Sequence, residues 1–201
     1  MITLIDYGVG NIQAFINIFH QMGITVLRAA VPDDFKSATK IILPGVGSFD
    51  HAMQKLNESK MRHALDYYVK EVKVPVLGVC VGMQMMASGS DEGILPGLDW
   101  IPGRVRAFPQ ATNLRLPHMG WNNLEIRVNS PLLAGLNPDP FFYFLHSYYF
   151  DCDDINHTVA STNYGIEFDS IISSKHIHGV QFHPEKSHHF GAKLLRNFSQ
   201  I

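Results

Sequence analysis

The chain passes from a predicted strand to a predicted helix at Val74-Pro75-Val76-Leu77-Gly78-Val79-Cys80-Val81-Gly82. The run Val74–Val79 is apolar, which is typical of a strand that is buried on both faces of a parallel sheet. The residues Gly82–Met86 are predicted to form the start of a helix. The segment therefore predicts a buried strand, a sharp turn at Cys80 and a helix.

Strands and helices alternate on the amino-terminal side of this segment. Short apolar runs at Ile2–Asp6, Thr25–Leu27 and Lys40–Leu43 predict three more strands. Apolar residues recur at helical spacing over Ile12–Met22 and Lys60–Val72. The alternation continues to about residue 88 and predicts an α/β fold, with a flavodoxin-like or Rossmann-like parallel sheet flanked by helices.

The second half of the chain has a different texture. Glycine, proline and aromatic residues become frequent after Ser88, and strand-like pieces such as Arg104–Phe108 and Phe141–Phe150 are separated by turns. This pattern predicts an antiparallel, loop-rich half. The apolar run Ile177–Phe182 then predicts a strand that returns to the sheet, and His189–Phe198 predicts a closing helix.

Length and composition restrict the class of protein. The 201 residues suffice for one domain with its own core, and residues 1–201 are expected to form a single domain. Hydrophobic residues at 46% and charged residues at 17% argue against disorder. The formal net charge of −2 provides no basic excess for phosphate backbones, so nucleic acid is not an expected partner.

Cysteine usage and hydropathy indicate a compartment. Cys80 and Cys152 are too few for the disulfide framework of a secreted protein. The segment Met1–Asp6 has no cationic run followed by a long apolar stretch, and no apolar run is long enough to cross a bilayer. A cytoplasmic protein with no membrane partner is expected.

Cys80 is the strongest candidate for a nucleophile. It stands between Gly78 and Gly82 at a strand-to-helix turn, the arrangement of a nucleophile elbow with sulfur in place of a hydroxyl. A helix N-terminus favours the thiolate, and the amide N–H of Val81 is free to face an oxyanion. The alternative is a buried structural cysteine at a strand end.

A general base for this thiol is offered by Gln181-Phe182-His183-Pro184-Glu185-Lys186-Ser187. His183 follows an apolar strand and lies at the carboxyl edge of the predicted sheet, where open α/β sheets place their sites. Glu185 can orient the imidazole if the turn at Pro184 folds it back. The alternative is a metal site in this histidine-rich region, formed from His176, His178, His183, His188 and His189. No cysteine or carboxylate joins these histidines at a usual ligand spacing, so no metal is expected.

A second glycine-rich turn follows another predicted strand, at Pro44-Gly45-Val46-Gly47-Ser48-Phe49. Peptide N–H groups in such a turn can face an anion, although most turns of this kind only connect a strand to a helix. The turn lacks the lysine of a P-loop, and Gly8-Val9-Gly10-Asn11 lacks the third glycine of a dinucleotide fingerprint. No cofactor is expected.

Together, the motifs Pro44–Phe49, Gly78–Gln84 and His183–Lys186 resemble those of the class I (triad) glutamine amidotransferases. Within that superfamily, further segments look like those of the glutaminase subunits of imidazole glycerol phosphate synthase, which belong to histidine biosynthesis. These segments are Asp6–Asn11, Pro102–Val105, Pro117-His118-Met119-Gly120-Trp121-Asn122 and His146-Ser147-Tyr148. The resemblance covers essentially the whole chain.

The resemblance implies an activity and a set of roles. Cys80 would attack the carboxamide of L-glutamine to give a glutamyl thioester and ammonia, while His183 moves the proton and Glu185 orients His183. An oxyanion hole is implied at Gly45, Val46, Gly47 and Val81. Contacts to the substrate are implied for Gln84, Ser147 and Tyr148.

A partner is implied as well. Ammonia would pass to a cyclase (synthase) subunit in a heterodimer, and the product would be imidazole glycerol phosphate. Asn11, Trp121 and Lys186 are the candidates for the interface by motif position, with Tyr148 nearby. Each has a plainer interpretation, such as core packing for Trp121 or a solvated charge for Lys186.

Three other functions stay open from the sequence. A paralogous amidotransferase subunit could serve an amidination step in surface-sugar biosynthesis. A binding module could use Cys80 as a redox sensor, although a sensor needs no oriented base such as the His183–Glu185 pair. A cysteine hydrolase acting on peptides is the third alternative.

Overall fold

The structure is a computed structural model, and it describes residues 1–110, 114–137 and 139–201. The strands are β1 (Ile2–Ile5), β2 (Val26–Ala29), β3 (Ile41–Gly45), β4 (Val76–Cys80), β5 (Gly103–Ala107), β6 (His118–Asn123), β7 (Glu125–Ile126), β8 (Phe141–His146), β9 (Tyr148–Cys152), β10 (Thr158–Tyr164), β11 (Ile166–Ser174) and β12 (Ile177–Val180). The α-helices are α1 (Ile12–Gln21), α2 (Phe49–Glu58), α3 (Arg62–Lys70), α4 (Val81–Gln84) and α5 (His188–Gln200).

The centre of the molecule is a parallel sheet in the order β2-β1-β3-β4-β12. Strands β1, β3, β4 and β12 are buried along their whole length, as the apolar runs of the sequence predict. Because β12 returns parallel to β4, the carboxyl ends of the central strands meet at one edge. This arrangement confirms the predicted α/β fold with a flavodoxin-like or Rossmann-like sheet.

The second half extends the sheet with antiparallel strands. β11 pairs with β12 and β10, β10 continues to β7, and β9 pairs with β11 and β5. β6 and β8 form a separate antiparallel pair. The predicted loop-rich antiparallel half is therefore present, and it joins the parallel strands through the pairing of β11 with β12.

Amphipathic helices cover the sheet because their apolar residues recur on one face. Helix α1 buries Phe15 and Phe19, and α5 buries Leu194, Leu195 and Phe198. Within the described residues, no helix is both long and apolar enough to cross a membrane.

The helix after Cys80 and the strand predicted over Phe141–Phe150 are both shorter than expected. The helix after Cys80 is the single turn α4, because the carbonyls of Met85 and Met86 accept hydrogen bonds from Leu98 and Trp100 instead of continuing the helix. The predicted strand Phe141–Phe150 is divided at Ser147 into β8 and β9. These two strands pair with different partners, so the chain must change direction between them.

Candidate active site

Two parallel strands bring the predicted nucleophile and base together. Val79 of β4 is in register with Val180 of β12. Cys80 comes directly after Val79 and His183 comes three residues after Val180, so both lie just beyond the same pair of neighbouring strand residues. They line one cavity of about 250 Å³. Its other walls are formed by Val46, Gly47, Val81, Gln84, Glu92, Pro117, Leu145, His146, Ser147, Tyr148 and Lys186.

Cys80 occupies a strained turn. Its φ of 53° lies in the left-handed region, which costs a residue with a side chain of order 1–3 kcal/mol. The flanking glycines permit the turn: a Cβ on Gly78 would lie 2.6 Å from the carbonyl oxygen of Gly82, and a Cβ on Gly82 would overlap the carbonyl oxygen of Leu43. This geometry matches the nucleophile elbow that the sequence predicts.

His183 and Glu185 form a buried pair on a turn of 3-10 helix over Pro184–Lys186. His183 Nδ1 lies 2.8 Å from Glu185 Oε1, and the two side chains are 3% and 2% exposed. The hydroxyl of Ser187 donates to the His183 carbonyl at 2.6 Å and holds the turn closed. The fold-back that the sequence analysis required at Pro184 is therefore present.

The electrostatics of this group favour a protonated imidazole. Burial of His183 opposes its positive charge, but the charge and hydrogen bond of the Cys80 sulfur, together with Glu185, outweigh burial and raise the pKa of His183 to about 10. An imidazolium beside a cysteine sulfur is the usual partner of a reactive thiolate. Gln181 Nε2 also approaches Cys80 Sγ, at 3.8 Å.

The glycine-rich turn after β3 lies across the cavity from His183. Gly45 is in register with Cys80 and packs directly on the backbone of Val81 and Gly82. Val46 and Gly47 line the cavity, and Gly47 has a φ of 84°. Val81, like the turn, therefore lines the same cavity as Cys80.

Tyr7 contacts the start of this turn. From the sequence, no role is predicted for it. Its hydroxyl donates to the Pro44 carbonyl at 2.7 Å and lies 3.5 Å from Met85 Sδ. Burial, followed by the nearby charge of Cys80, raises the pKa of Tyr7. The Tyr7 phenol therefore stays neutral and continues to donate its hydrogen bond to the Pro44 carbonyl.

The residues with implied substrate contacts lie together. Gln84, Ser147 and Tyr148 all line the cavity. Gln84 is buried, and its Nε2 donates to the Tyr148 carbonyl at 2.9 Å and to Gln181 Oε1 at 3.1 Å. The side chain of Gln84 is therefore fixed by two acceptors in the cavity wall.

Glu92 is a cavity residue that sequence reasoning missed. Its carboxylate lines the cavity and accepts the amide N–H of Phe49 at 2.8 Å, which caps the start of α2. Asp50 in turn accepts from the amides of Ile94 and Leu95 and holds this loop against the helix. In the sequence Glu92 is one acid of a polar loop, and no local pattern distinguishes it.

Of the predicted interface residues, Asn11 follows the carboxyl end of β1 and Lys186 follows β12, whereas Trp121 lies on β6. Trp121 is 42% exposed and stacks on His188 at 5.1 Å between ring centroids. Lys186 is exposed, lines the cavity and places Nζ 5.9 Å from the ring centroid of Tyr143. Asn11 is exposed and caps α1 by accepting from the Ala14 amide.

The histidines of the histidine-rich region contact different partners. His176 Nε2 contacts the Val69 carbonyl at 2.7 Å, and His178 Nδ1 contacts the Ser173 hydroxyl at 2.8 Å. In the described part of the chain, no three His, Cys, Asp or Glu side chains are grouped closely enough to hold a metal ion.

Cys80 on its strained turn and the buried His183–Glu185 pair thus both follow central strands at the carboxyl edge of the parallel sheet. The glutamine amidotransferase class-I family matches residues 3–201. The chain belongs to this family, and proteins named as HisH subunits of imidazole glycerol phosphate synthase are its relatives at high identity.

Relatives with high identity extend over the whole chain. The imidazole glycerol phosphate synthase subunit HisH of Bdellovibrio bacteriovorus is 55% identical over 204 residues, with 100% of both chains covered. The subunit of the same name from Leptospira interrogans is 47% identical, again with 100% of both chains covered. The protein named subunit HisH 2 in Methanococcus maripaludis is 42% identical, with 98% of each chain covered.

Solved structures share the fold at low identity. A glutamine amidotransferase crystal structure superposes with a TM-score of 0.75 at 16% identity, covering 98% of this chain and 97% of the other. A structure of PurLQS from Thermotoga maritima gives a TM-score of 0.75 at 13% identity, covering 99% and 97%. At these identities the likeness establishes the fold alone.

Proposed function

We propose that this chain hydrolyses L-glutamine to glutamate and ammonia, with Cys80 as nucleophile, His183 as acid and base, and Glu185 as the residue that orients His183. The observation that carries the proposal is that Cys80 and His183 line one cavity, with the buried Glu185 carboxylate bonded to the far side of the His183 ring. The family match supports a reaction on glutamine. The names of the three relatives, all subunits of imidazole glycerol phosphate synthase, support the pathway.

The first half of the reaction forms a thioester. The Cys80 thiolate attacks the carboxamide carbon, and the carbonyl oxygen becomes an oxyanion near the amides of Val81 and the Val46–Gly47 turn. The imidazolium of His183 donates its proton to the leaving nitrogen as the carbon–nitrogen bond breaks. Ammonia leaves, and the glutamyl group remains on the sulfur.

The second half releases glutamate. The imidazole of His183, now neutral, accepts a proton from water, and the resulting hydroxide attacks the thioester carbon. Collapse of the second oxyanion breaks the carbon–sulfur bond and restores the thiolate–imidazolium pair. Glu185 keeps the ring in one orientation during both halves by accepting from Nδ1.

Recognition of glutamine requires partners for its charged α-groups. We infer that the Glu92 carboxylate faces the α-ammonium group, because it is the acidic side chain among the cavity residues. The peptide and side-chain groups of Gln84, Ser147 and Tyr148 supply the neutral polar contacts. Gly45 acts through packing, since it holds the glycine-rich turn against the elbow.

We further propose that ammonia passes to a cyclase subunit in a heterodimer, in the synthesis of imidazole glycerol phosphate. Free ammonia is mostly protonated in neutral water and is then not nucleophilic, so a dry passage protects it. Trp121, Lys186 and Asn11 are the proposed contacts. A single domain over residues 1–201 and a cytoplasmic location belong to this proposal.

The alternative role in surface-sugar amidination is less well supported. The three relatives described above carry the name of the histidine-pathway synthase and not of a sugar-modifying enzyme. Neighbouring genes of histidine biosynthesis are expected around the gene for this chain.

The decisive experiment measures glutamate release from glutamine, with and without the cyclase subunit and its ligand. The wild-type chain should release glutamate in the complex. The Cys80→Ala variant should lose roughly 10⁴–10⁶ of this rate. Cys152→Ala is the matched control because Cys152 lies outside the cavity, and it should retain the activity. A folded, ligand-loaded complex that releases no glutamate would refute the function.

A further inference from the structure

Two histidines outside the proposed triad form a buried hydrogen-bonded pair. His118 and His146 are cross-strand neighbours on β6 and β8, and they are 3% and 6% exposed. His118 Nδ1 lies 2.9 Å from His146 Nε2. His146 lines the cavity, whereas His118 does not.

The hydrogen bonds on both sides of this pair fix which ring nitrogens carry protons. His146 Nδ1 faces the Tyr148 carbonyl at 2.8 Å and must donate, since a carbonyl only accepts. A neutral His146 therefore accepts at Nε2, and His118 must donate from Nδ1. The bare Nε2 of His118 then accepts from Asn122 Nδ2 at 3.3 Å. The Asn122 amide is itself oriented, because its oxygen accepts the Asn123 N–H and its nitrogen donates to the Asn163 carbonyl.

Aromatic surroundings keep both rings neutral. His118 is stacked between Phe144 and Tyr164, with ring centroids 4.8 and 4.0 Å away. Burial lowers the pKa of His118 to about 4. Burial lowers the pKa of His146 to about 3; the bond to Tyr148 opposes that shift, while His118 and His183 add to it.

The chain of hydrogen bonds ends at the cavity. The Tyr148 carbonyl that accepts from His146 also accepts from Gln84 Nε2 at 2.9 Å. The Tyr148 carbonyl thus accepts a hydrogen bond from Gln84, which is proposed to bind the substrate, and another from the histidine pair. The other end of this series of hydrogen bonds is Asn122 on β6, the neighbour of the exposed Trp121.

We propose that His118 and His146 are positioning residues that hold the Tyr148 carbonyl, and through it Gln84, in the geometry that binds glutamine. The proposal rests on the proposed glutaminase function of the same cavity. The pair exchanges no proton with substrate. Its contribution is the donor that His118 presents to His146, which leaves His146 Nδ1–H aimed at Tyr148.

Two substitutions separate this contribution from packing. His118→Phe keeps an aromatic ring between Phe144 and Tyr164 but removes the donor. His118→Asn places an amide N–H near the position of Nδ1 but removes the ring. If the donor matters, His118→Phe should raise the KM for glutamine about tenfold with kcat changed less than about threefold, and His118→Asn should recover most of the loss.

The readouts are steady-state glutamate release in the complex with the cyclase subunit, the Tm of each variant, and alkylation of Cys80 by iodoacetamide. Alkylation should stay at the wild-type rate, because the thiol and His183 are untouched. If the pair only packs, the KM for glutamine should rise in the variants whose Tm falls, and His118→Phe, which keeps the ring, should have a KM close to wild type while His118→Asn has the higher KM. That result would overturn the proposal.

A measurement on the unmodified protein does not depend on turnover. In ¹⁵N-labelled wild-type chain, the histidine ring signals of His118 and His146 should show protonated Nδ1 and bare Nε2, unchanged between pH 5 and pH 8. Assignment uses the signals lost in His118→Phe and His146→Asn. An Nε2–H tautomer at His146, or a charged ring in this range, would refute the pair. Wild-type protein that shows the pair but releases no glutamate would instead refute the glutaminase function.

Discussion

The Nδ1 atom of His183 lies 2.8 Å from Glu185 Oε1 across one turn of 3-10 helix, with both side chains almost fully buried. Burial alone would keep the imidazole neutral, so the positive charge on His183 depends on its two partners, the Cys80 sulfur and Glu185. The second carboxylate oxygen, Oε2, is buried with no hydrogen-bond partner among the described residues. The charge of Glu185 is therefore directed largely to one ring nitrogen.

Replacing Glu185 by glutamine should separate charge from shape. Glu185→Gln keeps the volume of the side chain but removes the charge that supports the imidazolium, and its amide can favour the wrong tautomer. We expect kcat/KM for glutamine to fall by about 10²–10⁴ and the pKa of His183 to decrease. Steady-state kinetics as a function of pH measures both effects. Glu125→Gln, on exposed β7, is the control and should change neither.

The elbow gives a prediction about stability. In Gly78→Ala, the new Cβ would lie 2.6 Å from the Gly82 carbonyl oxygen, which is backbone and cannot rotate away. We expect the free energy of unfolding to fall by about 1–3 kcal/mol, with reduced activity because Cys80 is displaced. In Gly89→Ala, the nearest atom is the flexible end of Arg104, at 2.9 Å. Urea unfolding should therefore show a smaller loss for Gly89→Ala; equal losses would contradict the steric argument.

The sequence predicts the site wherever a local pattern marks a strand end. Apolar runs end at Cys80 and before His183, and parallel strands bring their carboxyl ends to one edge, so the convergence follows from pattern alone. The His118–His146 pair depends on the register between β6 and β8, which no local pattern specifies. Glu92 reaches the cavity because its loop is tied to α2 by Asp50, a contact between residues more than forty positions apart.

His178 should make the fold sensitive to acid. Burial lowers its pKa to about 4, against 6.5 for an unperturbed imidazole. Below about pH 6.5 the unfolded chain binds a proton that the native His178 ring does not bind, so the contribution of His178 lowers stability from there to about pH 4 and then levels off. The buried His118 and His146 add contributions of the same sign. At pH 5 the contribution of His178 is about 2 kcal/mol.

The His178→Asn variant tests this contribution. The asparagine can still bond Ser173 but does not titrate, so the stability lost between pH 7 and pH 5 should be about 2 kcal/mol smaller than in wild type. Chemical denaturation at the two pH values measures the difference. His63→Asn, on the exposed face of α3, should lose as much as wild type. An acid loss in His178→Asn equal to that of wild type would show that His178 does not carry the effect.

Trp121 should be the anchor of the proposed cyclase contact. Its ring is 42% exposed and is held flat against His188, with 9° between the ring planes. A rigid, half-exposed aromatic ring loses little conformational freedom on binding, and such residues often dominate an interface. Trp121→Ala should therefore raise the Kd for the cyclase subunit about 10–100-fold, with Tm close to wild type. Tyr67→Ala is the matched control: Tyr67 is 56% exposed on α3, which leads into the opposite, amino end of β4. Titration calorimetry should give a wild-type Kd for Tyr67→Ala, whereas an unchanged Kd for Trp121→Ala would move the interface away from β6.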